Sequence, residues 1–192
     1  MIRIIILSTI LSLYTIHIDV KDRIGIKGPL SFGNTQLELA WSDNPSADYY
    51  IQEYIPKGEQ VERFNQMLTI YVLTKDVTPE SELQQKVNWL IERKKSDAIC
   101  NYQVSKSPDG KEFILDFLVG EHEDGKMTIV EFNVYRYKNI KLEGQSTLLV
   151  SAYSKRSYGA NITPFLTNLR ADRNSCLNEM ISFKLPTLKI AK

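Results

Sequence analysis

The sequence predicts a single α+β domain, in which a mainly antiparallel sheet is covered by two amphipathic helices in a sandwich-like arrangement. Three observations support this prediction. Short runs of β-branched and aromatic residues recur along the chain, and most are separated by tight turn signals. Apolar residues follow helical spacing at 78–95 and again at 164–182. The length of 192 residues suits one hydrophobic core.

The first 18 residues have the pattern of a secretory signal. Arg3 supplies a positive start, and residues 4–18 are mostly apolar. This run is shorter than the ~20 residues that cross a bilayer, and no pair of small residues marks a cleavage site. We expect an exported protein, periplasmic or secreted. The alternatives are an anchor formed by residues 4–18 and a cytoplasmic protein in which this run is a buried strand.

The domain proper is expected to begin after a connector at residues 19–36, which is rich in charged residues, glycine and proline. Residues 37–192 then form the single globular domain. Its first two strands form a hairpin, and alternation at 37–41 places Trp41 on the face of the other apolar residues of that run. We expect a short helical turn at 59–65 and a well-buried strand at 67–73.

Both predicted helices carry start signals. Thr78 can cap the first helix and Pro79 suits its first position, and Thr163 and Pro164 repeat the pattern in the second. Between the helices the turn-separated strands predict an antiparallel meander, at residues 99–104, 113–119, 127–137 and 148–153.

The charge balance gives no electrostatic reason to expect nucleic acid as a partner. Residues 1–18 contain one arginine and no acid, so the rest of the chain carries 23 basic and 23 acidic residues. A membrane contact is expected only through an uncleaved N-terminal segment. The nine glycines form no phosphate-binding or dinucleotide-binding motif, and we expect no cofactor. The expected partner is an unknown protein or small molecule, and the oligomeric state stays open.

Few side chains suggest catalysis. His122 lies in an acidic turn, which we interpret as solvated rather than as a catalytic or metal site. Carboxylates alone can hydrolyse glycosides when two of them face each other across a cleft. The candidates on or beside predicted strands are Glu38, Asp43, Glu53, Asp116 and Glu131.

Arginine with tyrosine is the pattern most suggestive of binding. A guanidinium can clamp a carboxylate or phosphate, and a tyrosine ring can stack on it. The candidate ligand- or partner-binding residues are Arg136, Arg156, Tyr158, Tyr135 and Arg173. The alternative is that these arginines pair with acids of the sheet and the tyrosines pack by their rings.

The two cysteines, Cys100 and Cys176, allow one disulfide in an exported protein. Two buried free thiols are the favoured interpretation, because two cysteines in a chain of this length do not form a disulfide framework.

Several stretches resemble a class of uncharacterised bacterial exported proteins, and the likeness covers most of residues 30–186. The layout of strands and helices is also similar to the Mog1/PsbP-like sandwich, a likeness of fold that implies no function. Neither resemblance supplies a catalytic residue. The stretches that carry the first are 41–45, 53–59, 67–69, 131–137 and 165–186.

The sequence therefore predicts a non-enzymatic exported protein that acts through a surface or groove. Two alternatives stay open. One is a carrier that holds a small apolar or anionic ligand between sheet and helices. The other is a hydrolase that works through carboxylates.

Overall fold

The structure, a computed structural model, describes residues 20–74 and 77–190. The predicted leader, residues 1–18, lies outside this part. None of the helices described is long and apolar enough to cross a membrane. In chain order the elements are β1 (Leu30–Phe32), β2 (Thr35–Ser46), β3 (Tyr49–Ile55), β4 (Gln66–Leu73), α1 (Pro79–Arg93), β5 (Asn101–Lys106), β6 (Glu112–Glu123), β7 (Lys126–Leu142), β8 (Gln145–Tyr158), a 3-10 turn (Gly159–Asn161) and α2 (Ile162–Ser182).

The eight strands form one antiparallel sheet in the order β1-β2-β3-β4-β8-β7-β6-β5. The two helices pack on opposite faces of it. Along β7, Val134 belongs to the apolar cluster beneath α2, whereas Tyr135 and Tyr137 belong to the cluster beneath α1. This separation follows from the period of two along a strand. The α+β class is confirmed, and the sheet is the larger part of the structure.

The first helix begins as its sequence signals predict. The backbone N–H of Ser81 donates to Thr78 Oγ1 over 3.1 Å, and the backbone N–H of Thr78 donates to Ser81 Oγ over 3.2 Å. The second helix begins at Ile162, directly after the 3-10 turn, so the predicted cap at Thr163 is wrong. Pro164 still lies in the first turn, where no backbone N–H needs an intrahelical partner.

The segment expected to be a connector contributes to the core. Ile24 and Ile26 are buried on the face of the sheet that α2 covers, and β1 follows them in the chain. The fully buried Gln52 side chain holds this segment, because it accepts from the Ile24 N–H and donates to the Ile26 carbonyl. Residues 59–65 form turns and an isolated bridge in place of the predicted helical turn.

The alternation expected along β2 is broken by a β-bulge. Leu39 pairs with Tyr54, but the next pair joins Trp41 to Glu53, so Ala40 is an extra residue. A bulge shifts every following side chain to the opposite face. Trp41 therefore lies on the α1 face of the sheet, away from Leu39, and the predicted placement of Trp41 is wrong.

Candidate functional site

A groove lies between α1 and the sheet, with a volume of about 400 Å³. This volume is within the range of small-molecule sites, ~300–1,000 Å³. We call it the α1 groove. Its main lining residues are Tyr49, Glu53, Thr69, Tyr71, Tyr135 and Ala152 from the sheet, and Glu82, Gln85, Lys86 and Trp89 from α1.

The groove exists because small side chains occupy the middle of one row across the sheet. Tyr135 on β7 pairs with Ala152 on β8, Ala152 pairs with Thr69 on β4, and Thr69 pairs with Glu53 on β3. Strands lie ~4.8 Å apart, so roughly 14 Å separates the two ends of this row. Ala152 and Thr69 form a low floor between Tyr135 and Glu53.

Both tryptophans of the chain lie on this face of the sheet. The bulge in β2 pairs Trp41 with Glu53 and so extends the row by one strand. Trp89 comes from α1 and lines the groove at the other end. The side chains are 39% and 43% exposed, respectively, although tryptophan is usually a highly buried residue type.

Lys86 lies among aromatic rings. Its ammonium is 4.2 Å from the ring centre of Trp89, 5.2 Å from that of Phe117 and 5.4 Å from that of Tyr135. Burial lowers the pKa of Lys86, and the negative charge of Glu131 opposes this shift. No carboxylate of the described residues lies within ion-pair distance of Lys86.

Glu53 is half-buried at the opposite end of the floor. Burial is the main cause that raises the pKa of Glu53, and the positive charge of Arg156 opposes it. Within the part of the chain that the structure describes, the Glu53 carboxylate accepts no hydrogen bond and makes no ion pair. Because an unpaired, partly buried carboxylate costs stability, its position in a cleft is a mark of a functional site.

A second carboxylate, Glu82, lines the same groove. It accepts hydrogen bonds from the Tyr71 hydroxyl at 3.2 Å and from the Gln85 amide at 3.4 Å. Burial raises the pKa of Tyr49, and the charges of Glu82 and Glu53 raise it further. Both carboxylates therefore act electrostatically on the Tyr49 hydroxyl.

Two of the five candidate binding residues hold α2 against the opposite face of the sheet. The Arg136 guanidinium pairs with Glu112 and donates to the carbonyls of Met180, Ile181 and Phe183 at the end of α2. The Arg173 guanidinium donates two hydrogen bonds to Asp116, each of 2.7 Å, and a third to Gln103.

Arg156 and Tyr158 secure the loop between β3 and β4. Arg156 pairs with Glu131 and lies 4.1 Å from the ring centre of Phe64, while the Tyr158 hydroxyl donates to the Phe64 carbonyl over 2.8 Å. Of the five candidates, only Tyr135 lines the α1 groove. They do not form one polar edge, because Arg136 and Arg173 lie on the α2 face.

The two cysteines are also separated by the sheet. Cys100 belongs to the cluster beneath α1 and Cys176 packs against the cluster beneath α2, so both are free thiols on opposite faces of the sheet. The disulfide that the sequence allowed does not form. His122 is exposed near the end of β6. Among the strand carboxylates considered, only Glu53 lines the α1 groove.

Sequence reasoning missed Lys86, Trp89 and Glu82 as lining residues of the groove, and it missed the place of Trp41 beside Glu53 on the same face. Glu82, Lys86 and Trp89 follow each other at helical spacing on α1, beside its apolar stripe. This spacing could have indicated that the three side chains lie on one face of the helix. Trp41 could not be assigned, because a bulge at Ala40 has no clear sequence signature.

A family model matches residues 24–185, and the family is one of uncharacterised proteins. Neither a curated protein nor a solved structure matches the chain. The predicted resemblance to uncharacterised proteins is confirmed at that level. Export and the Mog1/PsbP-like likeness stay predictions.

Proposed function

The chain belongs to the uncharacterised family matched over residues 24–185, and we propose that it is an exported, non-enzymatic binding protein whose ligand occupies the α1 groove. The proposal of export is supported by the leader-like residues 1–18. The proposal of a small-molecule ligand is supported by the groove, whose volume and mixture of aromatic and polar lining suit such a ligand.

One observation carries the proposal: two charged groups that make neither a hydrogen bond nor an ion pair within the described residues converge on the groove, and the ammonium of Lys86 contacts aromatic rings there. Lys86 and Glu53 have no hydrogen bond or ion pair within the described residues, and they lie at opposite ends of a floor made of Thr69 and Ala152. Partly buried charges are normally paired, because their desolvation is costly. A bound ligand would supply the missing partners and offset this cost.

The test is to fill the groove and measure ligand binding. Ala152→Leu places a larger side chain in the middle of the floor, and Ser146→Leu adds the same side chain at an exposed position of the same strand. Both variants and the wild type are screened by ligand-observed NMR against mixtures of metabolites, after urea unfolding has shown that each is folded.

We expect at least one compound to bind the wild type and Ser146→Leu but to bind Ala152→Leu at least tenfold more weakly. If Ala152→Leu does not fold, Thr69→Val and Glu53→Gln replace it. Compounds that bind all variants equally would show that the groove is not the binding site, and so would the absence of binding to the wild type.

A second candidate function is hydrolysis by carboxylates, because Glu53 and Glu82 line the same groove. Burial raises the pKa of Glu53, which suits a general acid, while Glu82 is held by hydrogen bonds from Tyr71 and Gln85. Two carboxylates in different environments can divide these roles in glycoside hydrolysis.

Turnover separates the two candidates. A hydrolase would release product from aryl glycosides, and either Glu53→Gln or Glu82→Gln would reduce its rate by at least a hundredfold. Binding without turnover in the wild type would exclude hydrolysis of these substrates and favour the binding protein.

A further inference from the structure

We infer that the ligand of the α1 groove is an uncharged oligosaccharide that lies across the strands between Trp89 and Trp41. This inference rests on the proposed function and assigns its ligand class. It follows from the charge of the unpartnered groups, from the two exposed indoles and from the length of the row that joins them.

The charges favour a ligand with no net charge. Lys86 and Glu53 make no hydrogen bond or ion pair within the described residues, and Glu82 adds a second negative charge, which already accepts hydrogen bonds from Tyr71 and Gln85. The three groups sum to a charge of −1, so an anion would be repelled; a cation would be attracted by the carboxylates but would offer no acceptor to the Lys86 ammonium. Sugar hydroxyl groups can donate to Glu53 and accept from Lys86, so they satisfy both ends of the groove without bringing a charge.

The hydroxyl groups of the groove fit the same chemistry. Among the described residues, no hydrogen bond is made by the side-chain hydroxyls of Tyr49 and Tyr135, and both can donate and accept. Together with Thr69 they give the floor and walls a mixture of donors and acceptors. A ligand with many hydroxyl groups uses such a mixture, whereas an apolar ligand would leave these groups unpaired.

The indoles provide the apolar part of the recognition. The C–H face of a pyranose ring packs on an aromatic ring, and tryptophan offers the largest one. Trp41 and Trp89 are both well exposed and lie on the same face of the sheet, at opposite ends of the row. Trp89 also packs edge-on against the core residue Phe117, with ring centres 6.5 Å apart, so its indole is held in place while 43% of the residue stays exposed.

The length of the row sets the size of the ligand. Four strand spacings of ~4.8 Å separate Tyr135, beneath the Lys86 end, from Trp41, which is roughly 19 Å. A single sugar ring is too short to reach both ends. The row therefore fits a chain of about four sugar units, whereas a monosaccharide would contact one end only.

Fluorescence titration of single-tryptophan variants tests this inference. Trp41→Phe reports on the groove end at Trp89, and Trp89→Phe reports on the end at Trp41. The probes are cellotetraose, maltotetraose, chitotetraose and xylotetraose, with glucose as the short ligand. A tetramer of galacturonate and a tetramer of glucosamine are the charged ligands.

We expect one neutral tetrasaccharide to change the fluorescence of both variants and to bind at least tenfold more tightly than glucose and the charged tetramers. Ala152→Leu should weaken its binding at least tenfold. Tighter binding of a charged tetramer, or a response from only one tryptophan, would overturn the inference.

Failure of the inference can be separated from failure of the proposed function. If no sugar binds but Ala152→Leu still abolishes binding of another metabolite, the sugar class is wrong and the groove remains the site. If a sugar binds equally well to Ala152→Leu, the groove itself is wrong, and both proposals fall.

Discussion

Removal of the Arg136 charge is expected to destabilise the protein strongly, because this guanidinium connects the sheet to the end of α2. Its side chain is only 15% exposed, and it pairs with Glu112 and donates to two carbonyls in the last turn of α2 and to that of the C-cap residue Phe183. Arg136→Met keeps the aliphatic stem but removes the charge and every donor.

The magnitude follows from the contacts that are lost. Hydrogen bonds to charged groups contribute about 1.5–3 kcal/mol, and a cation at a helix C-terminus adds about 0.3–1 kcal/mol. Since Glu112 is a third exposed, water replaces part of the lost pairing. We expect Arg136→Met to lower the free energy of unfolding by roughly 3 kcal/mol, or Tm by roughly 6–12 °C.

Lys95→Met is the matched control. Lys95 pairs with Glu92, but both side chains are more than two-thirds exposed, and exposed pairs contribute about 0–1 kcal/mol. Urea unfolding at pH 7 measures both variants, with the m-value as the check on two-state behaviour. If Arg136→Met cost no more stability than Lys95→Met, Arg136 would not fasten α2, and its role as a binding residue would have to be reconsidered.

Three further predictions concern buried and half-buried groups. Tyr137→Phe should leave stability unchanged or raise it by up to about 1 kcal/mol in urea unfolding, because the buried Tyr137 hydroxyl has no hydrogen-bond partner within the described residues; a loss above 1 kcal/mol would contradict this. Since burial raises the pKa of Glu53, the folded state binds this proton more tightly than the unfolded state, and stability falls as pH rises from about 4.3 towards the raised pKa. Glu53→Gln should therefore have a higher urea midpoint of unfolding than the wild type at pH 7 and the same midpoint below pH 4. Equal midpoints at both pH values would show that burial of the Glu53 carboxylate does not destabilise the folded state. Burial also raises the pKa of the Cys100 and Cys176 thiols. A thiol reagent at pH 7 should therefore label both cysteines slowly in the native protein, Cys100 more slowly than Cys176, and should label both rapidly once the protein is unfolded without reductant. Absence of labelling after unfolding would reveal a disulfide.

Local patterns predicted most of the fold. The cap and proline of α1 are where Thr78 and Pro79 indicated, and the turn-separated strands do form an antiparallel sheet. The role of Ile24 and Ile26 could not be read, because it depends on Gln52, a polar residue that the fold buries from a distant strand. Local signals carry no information on such a contact.

The candidate site was less predictable than the fold. All three arginines chosen from the sequence are paired with acids, and the sequence cannot show pairing between residues that are distant along the chain. Tyr135 was identified, and Glu53 was listed among several carboxylates. What unites these two residues is the cross-strand register through Ala152 and Thr69, two small residues that carry no chemical signal.

Native mass spectrometry of the protein purified from its own host tests the central claim most directly, namely that the α1 groove holds a ligand. The wild type and Ala152→Leu are measured side by side under conditions that preserve complexes. We predict an additional mass on the wild type, released on denaturation, that is absent from Ala152→Leu. A wild-type protein without bound mass in repeated preparations, or the same bound mass on both proteins, would contradict the assignment of the groove.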